Sequence, residues 1–438
     1  MRGNDATLPS RSPPAFRRQY SRRPLLGSRT LARQSRRSAA MPFVMIAVLI
    51  DMVSIGLIVP VLPLLVGSFT SSPAEQSFWY GVVALAFGSA NFFASPLLGA
   101  LSDAHGRRPV MLLGFGALAL TFFATAFATE LWMLIVARAI GGAMQANVSV
   151  AHAYVADITP PEDRARRFGM LGAMFGIGFI LGPVLGGFLG AIRLQLPFLV
   201  AGTLAIANLA YGVLVVPESL ARDDRRAFTW NNVTPLGSLR ALARLEGVGG
   251  LVTVIACSGL AQFVTYTTWV LYSKFKFGWG PRENGWALAA FGLASVIGQG
   301  FLLGRLLKVF SPRRLALFGL VSSTLAYAAF GAVTEGWMLF VVIALNLLGT
   351  TVAANMQSIV SGAASAQNQG QTMGAVSSLN SLTAVFAPAL AGPLMAMVSH
   401  YPRGDVRMGA PFFFCALLQG AAFVLAARHF RRELAAER

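Results

Sequence analysis

Two ionisable residues lie deep inside long apolar runs of this 438-residue sequence: Asp51, in the run 42–66, and Arg138, in the run 131–155. A charge in hydrocarbon is costly, so such a group is a functional candidate by default. A carboxyl can take up and release a proton, whereas a guanidinium stays cationic and holds carboxylates and other anions. At about 1.5 Å per residue, Asp51 sits roughly 14 Å from one end of its run and Arg138 roughly 10 Å from the other. The two depths differ by about 6 Å, a gap long side chains can close. A neighbouring guanidinium favours a carboxylate, while desolvation favours the neutral acid. The pair therefore suits proton carriage, with Asp51 as carrier and Arg138 as partner or anion contact; the plainer reading is a static buried pair that fixes packing.

Gln145 and His152 follow Arg138 at seven and fourteen residues and share its helical face. Gln145 is a candidate cavity residue, and His152 falls near a run's end as an interfacial histidine. Further candidates for a cavity wall are Asn91, Gln262, Tyr266, Trp269, Asn346, Asn355 and Gln357. Polar side chains in such runs also serve as interhelical glue. The 32 Phe and 15 Met suit an adaptable apolar cavity as well as ordinary packing. The four histidines are scattered, and there is no nucleotide-binding loop sequence. A polytopic membrane enzyme would need His, Asp or Glu clustered at one membrane face. The pattern predicts no enzyme, no metal, no cofactor and no use of ATP. Cys257 and Cys415 have no metal spacing and read as small hydrophobes.

The elements that must position these groups are membrane helices. Hydrophobic residues make up 55% and charged residues 12%, with a mean hydropathy of +0.63. A soluble domain carries about 25% charged residues. Twelve runs are long enough to cross hydrocarbon: 42–66, 79–99, 109–129, 131–155, 167–190, 197–216, 250–273, 284–307, 314–334, 336–360, 372–398 and 409–428. The net charge of +18 resembles a nucleic-acid signal, but the charges fall between the runs. With the N-terminus inside, eighteen basic residues lie in inner loops and the tail, among them Arg107, Arg108, Arg305 and Lys308. Six, including Lys274 and Lys276, lie in outer loops. The positive-inside rule thus predicts both termini in the cytoplasm and no nucleic-acid partner.

Residues 1–41 hold ten arginines, no lysine and one acid. They read as a disordered basic arm, as an organelle transit peptide, or as sequence upstream of a true start at Met41. Beyond them the sequence predicts a six-helix bundle over 42–216, a central loop over 217–249, a second bundle over 250–428 and a tail over 429–438. The halves repeat at an offset of about 205 residues: Glu130-Leu-Trp132-Met-Leu matches Glu335-Gly-Trp337-Met-Leu, Gly114 matches Gly319, Gly169 matches Gly374, and Pro183 matches Pro388. Phe87-Gly88 matches Phe291-Gly292 at an offset of 204. Repeats of this kind place a substrate site near mid-membrane between halves that rock for alternating access.

Three motifs remain. After the second run comes Gly99-Ala-Leu-Ser-Asp103-Ala-His-Gly106-Arg107-Arg108, whose glycines permit a tight turn and whose charges can pair with each other and with helix ends. The fifth run carries Gly178, Gly182, Pro183, Gly186 and Gly187, a small-residue face with a proline kink. The fourth has Arg138 followed by Gly141 and Gly142, and then Asp157 near its end. This set resembles the major facilitator superfamily: its signature loop, its antiporter motif and its intramembrane arginine motif. With Ile55-Gly56-Leu57-Ile58-Val59-Pro60 and Pro217-Glu218-Ser219, it is similar to the tetracycline-resistance and multidrug branch. The resemblance, over 41–428, implies an all-α twelve-helix fold in two pseudo-repeat bundles, gating by the Gly99–Arg108 loop with Asp157, and a monomer in the bacterial inner membrane. It also implies proton-coupled efflux of small amphipathic drugs, with proton-coupled uptake of a metabolite as the alternative. That branch carries acids in its first, third and ninth spans. Here Asp51 keeps the first, while Thr121 and Ser323 stand at the others, which weighs against tetracycline itself. Both buried charges lie in the first half, so coupling is expected there and selectivity in the second.

Overall fold

In the computed structural model the residues described are 41–145, 147–160, 163–225, 227–228, 249–363 and 369–436. Most of the basic arm and residues 229–248 of the central loop lie outside them. Eleven helices among the described residues are long and apolar enough to cross a membrane, and a bent pair makes the twelfth. Spans 1 to 6 run Met41–Gly67, Pro73–His105, Arg107–Ala126, Leu131–Ile158, Arg166–Ile192 and Leu196–Val215. Spans 7 to 12 run Gly250–Phe277, Pro281–Leu306, Pro312–Ala332, Gly336–Leu345 with Gly349–Ser361, Val376–Val398 and Val406–Arg432. Large apolar side chains stand exposed on the outer faces, including Leu120 at 67% and its repeat partner Leu325 at 66%. Lipid covers such a surface.

The repeat has a structural meaning. Glu130 and Glu335 each adopt extended backbone at the start of spans 4 and 10. Their carbonyls accept from the amides of Met133 and Met338, at 3.1 and 3.2 Å. Trp132 and Trp337 are each 63% exposed, the placement of an interfacial aromatic anchor.

Several runs that read as continuous are broken. Span 1 turns at 59–61, where Pro60 supplies no amide, and resumes at Leu62. Span 10 bends by 56° between Leu345 and Gly349. Span 8 contains a π-helical segment, Val296–Leu302, and such segments gather at functional sites. Two lysines assigned to an outer loop belong to the last turns of span 7 instead. Lys276 is 2% exposed and donates to Tyr272 Oη at 3.2 Å and to the Gly331 carbonyl at 2.8 Å.

Spans 2 and 11, and spans 5 and 8, carry the contact between the halves. A Cβ at Gly81 would lie 3.0 Å from Gly392 Cα and 3.1 Å from the Pro388 carbonyl. A Cβ at Gly285 would lie 3.1 Å from Gly187 Cα and 2.5 Å from the Pro183 carbonyl. Pro183 and Pro388 are repeat partners, as are Gly187 and Gly392, so one device closes both seams. Further along, the seams part. Gly292 still meets Ile180, and a Cβ at Gly176 would reach Val296 at 3.5 Å. Gly172, Gly169, Gly300, Gly304 and Gly99 then meet nothing within 4 Å among the described residues. The halves touch at the end where spans 2 and 8 begin, and spans 5 and 8 part toward the Gly106 end among the described residues.

Candidate functional site

A cavity of about 310 Å³ opens on the inner face of the second half. Every span from 7 to 12 contributes to it, and Phe179 of span 5 is its one lining residue from the first half among the described residues. Four of the residues expected there line it: Gln262, Tyr266, Asn346 and Gln357. Gln262 donates to the Tyr266 hydroxyl at 3.1 Å. Asn346 occupies the break in span 10 and accepts from Ser322 at 3.0 Å. The bend thus turns an asparagine that would otherwise pack between helices toward open space.

The other four cavity candidates lie elsewhere. Trp269 is 1% exposed and stands behind the wall, edge-on to Phe291 and Phe330 at 4.7 and 5.4 Å. Asn355 is buried and donates to Thr351 at 3.2 Å, inside the lower part of span 10. Asn91 accepts from Ser95 one turn on, at 2.8 Å. The Gln145 backbone amide closes the helical turn on the Gly141 and Gly142 carbonyls. Ser258, Ser295, Gln299, Tyr327, Asn380 and Gln419 line the cavity and were not anticipated. A signal existed for one of them: Ser258, Gln262 and Tyr266 recur every four residues, one face of a helix.

Asp51 and Arg138 do not form the expected pair. Asp51 is 7% exposed in span 1 and makes no ion pair or hydrogen bond among the described residues. Gly178 explains its setting: a Cβ there would meet Met52 Cβ at 2.5 Å. Gly182 packs on Gly56 in the same way, and Gly186 on Leu57. The glycine stripe of span 5 thus seats span 1 through Met52, Val53, Gly56 and Leu57, with the Pro183 ring on Gly56, while the Pro183 carbonyl and Gly187 face span 8. One helix serves both the bundle and the seam. The Arg138 guanidinium lies 4.3 Å above the Phe87 ring, and its Nε has no partner among the described residues. Gly142, one turn away, rests on the backbone of the same Phe87, with 2.8 Å from its would-be Cβ to the carbonyl carbon. His152 stacks on Phe168 and Phe175 at 5.7 and 5.9 Å.

The signature loop is a one-residue joint. Gly106 alone separates spans 2 and 3, at φ +109°, a conformation that favours glycine. Gly99 takes no part in that turn; it is inside span 2, in the splayed region. Arg107 pairs with Asp103 and with Asp157, the latter at 3.1 Å, and donates to Ser102 at 2.6 Å. Arg108 donates to the Val213 carbonyl at the end of span 6. Glu218 completes the cluster. Its carboxylate accepts from the Arg107 and Arg108 amides, at 2.9 and 3.3 Å, at the start of span 3. A carboxylate suits a helix N-terminus. Tyr154 donates to the Pro217 carbonyl at 2.6 Å, and Ser219 to Asp157 at 3.1 Å. No group of three or more His, Cys, Asp or Glu among the described residues could hold a metal ion.

A polar cavity on the inner face of one of two paired helical bundles suits a carrier. The sequence profile of the Major Facilitator Superfamily matches residues 44–275 and 251–438, once for each half. The class C tetracycline resistance protein of Escherichia coli is 35% identical over 80% of this chain and 88% of its own length. Multidrug resistance protein 2 of Bacillus subtilis is 26% identical over 81% of this chain and 88% of its own. Among solved structures, the human organic anion transporter MFSD10 has a TM-score of 0.65 at 23% identity, covering 90% of this chain and 99% of that one. The nucleoside transporter NupG has a TM-score of 0.70 at 14% identity, covering 90% of this chain and 98% of that one. Both structures are alike in fold alone. The chain belongs to the Major Facilitator Superfamily, in its tetracycline-resistance and multidrug branch, and is a membrane transporter.

Proposed function

We propose that this transporter exports small amphipathic drug-like molecules in exchange for protons, from the bacterial cytoplasm across the inner membrane. The observation that carries the reading is the asymmetric seam. Both inter-half contacts are closed glycine on backbone at one end, and spans 5 and 8 part toward the other among the described residues. A cavity reachable from one side only is one half of an alternating-access cycle. The excess of Arg and Lys at the Gly106 end supports a cytoplasmic placing of that end and of both termini. The relatives supply the direction of transport, since their names are those of drug-resistance proteins.

Asp51 is the proton carrier in this reading. It is a buried acid in a membrane span without a partner among the described residues. Such a carboxyl changes charge when water or a cation gains access to it, and burial makes the charged form costly. Rocking of the halves alters access to span 1, which the Gly178–Gly186 stripe supports. Arg138 is the complementary anion contact. The Arg107 cluster ties spans 2, 3, 4 and 6 into one body that moves as a unit. A monomer contains all of these parts.

Expression in an efflux-deficient bacterial host, with a panel of drugs, tests the reading. Raised resistance that collapses when the proton gradient is dissipated is expected. Sensitisation to toxic nutrient analogues, without resistance to any drug, would replace efflux with uptake.

A further inference from the structure

The cavity has a composition that narrows what it can hold. Among its lining residues none carries a charge. Six side-chain amides face it instead: Gln262, Gln299, Asn346, Gln357, Asn380 and Gln419. Each amide offers donors and an acceptor, so together they match hydroxyl, carbonyl and amide groups in either sense. The aromatic rings of Phe179, Phe263 and Phe291 supply apolar wall between them.

A second observation points to a ligand. Gln419 is 3% exposed, and its Oε1 has no hydrogen-bond partner among the described residues. The Ser258 hydroxyl is likewise buried and unpartnered. Unsatisfied polar atoms cost stability in a buried setting, and a ligand donor restores the missing bond. Both residues line the cavity. A charged ligand has the opposite balance there. It would leave its hydration behind and find no counter-charge among the lining residues. Asp51 and Arg138 do not line this space.

We propose that the cavity takes an uncharged, hydrogen-bond-rich amphiphile, with one flat apolar face and several hydroxyl, carbonyl or amide groups, and takes it without a metal ion. This rests on the efflux reading above and names the cargo class of the same site. At about 310 Å³, the space suits the smaller end of drug-like molecules.

Equilibrium dialysis of the purified full-length protein in detergent tests this with three probes. Chloramphenicol is an uncharged amide diol, ethidium is a cation, and tetracycline with Mg²⁺ is a charged chelate. Chloramphenicol is expected to bind at least ~10-fold tighter than ethidium, with no effect of EDTA. Gln419→Leu should weaken it about tenfold, since a lost hydrogen bond to a buried group is of that order. Gln419→Glu, similar in shape but charged, should weaken chloramphenicol and tighten ethidium. Asn380→Leu repeats the test should Gln419→Leu fail to fold. Tighter binding of ethidium, tetracycline binding that needs Mg²⁺, no binding of chloramphenicol, or undiminished binding in the variants would each overturn the proposal. Export from cells is scored separately. Ethidium export without chloramphenicol binding removes this inference and leaves efflux standing; chloramphenicol binding without export of any probe does the reverse.

Discussion

The first and second bundles meet each other by one device used twice, yet their interiors carry opposite chemistry. Gly81 rests on Gly392 and the Pro388 carbonyl, and Gly285 on Gly187 and the Pro183 carbonyl. Inside, the first bundle holds Asp51 and Arg138, while the cavity of the second is lined by amides and hydroxyls and its buried Lys276 is tied to Tyr272 and Gly331 outside that lining. Their Gly106-end loops differ as well. In the first, Arg107, Asp103, Asp157 and Glu218 form a charged knot. In the second, the corresponding turn has Lys308 and Ser311, with Ser311 accepting from the Arg314 amide at 3.4 Å. Duplication supplied the paired seams, and in the proposed division of labour Asp51 and Arg138 serve coupling in one half while the amide-lined cavity serves recognition in the other.

The largest effect should come from removing the acid. Asp51→Asn keeps shape and loses the titratable proton. Gradient-driven export in everted vesicles should fall by about 100-fold or more, the scale on which loss of a positioned proton-transfer group is felt. Gln262→Leu in the other half should change apparent affinity and leave the response to the gradient intact. Undiminished flux in Asp51→Asn would break the division between halves at its root.

The paired seams yield the next effect. Leucine at Gly81 or at Gly285 would drive a side chain into facing backbone at 3.1 Å or closer. Overpacking of this kind costs about 1–3 kcal/mol, enough to shift a two-state equilibrium by roughly fivefold or more. Both variants should open the closed end, raise labelling of cysteines placed there, and slow export to a similar degree. An effect confined to one seam would show that the two are not equivalent in the cycle.

A third effect is on stability. Glu218→Gln removes the charge that receives the Arg107 and Arg108 amides. Hydrogen bonds to charged groups contribute about 1.5–3 kcal/mol, so the variant should melt several degrees lower in detergent. Lys308→Met, at the matching turn of the second half, should stay within about 0.5 kcal/mol of the parent. Equal losses would mean that the second loop is pinned by contacts of similar strength.

The sequence made much of this legible where one physical rule dominates. Apolar run length marked the spans, and the match of Pro183 to Pro388 marked the repeat, whose place at the seams only the contacts revealed. Arg107 and Asp103 were readable as a pair because they are one helical turn apart. What escaped depended on geometry with no local signature. Asn346 and Asn355 are alike in sequence, but the 56° bend exposes the first to the cavity and leaves the second buried. Asp51 and Arg138 looked like partners because depth alone was compared; Phe87 takes the guanidinium instead. Gln419 is one polar residue in an apolar run, and only the positions of six other spans make it part of a wall. Glu218 is distant in sequence from the amides it caps.

The smallest effect concerns a bond that crosses between halves at the closed end. Lys274 of span 7 donates to Gln76 Oε1 at 2.9 Å, and Gln76 Nε2 donates to the Pro63 carbonyl at 2.7 Å. Gln76 is 4% exposed, so its amide is held in one orientation by the carbonyl beside the break in span 1. The chain of donors runs from the second half, through span 2, to span 1. It can persist only while the seams are shut, because Lys274 and Gln76 belong to bundles that separate when that end opens. A hydrogen bond of this sort contributes about 0.5–1.5 kcal/mol. Lys274→Met keeps the length of the side chain and removes its donor. The closed-end conformation should lose about threefold to tenfold in population, read as faster labelling of a cysteine placed near Gly81. Gln76→Leu should do the same, and the double variant should do no more than either alone, since both break one chain of bonds. Additive effects would mean that the two residues hold the seam through separate contacts, and that the latch is not a single unit.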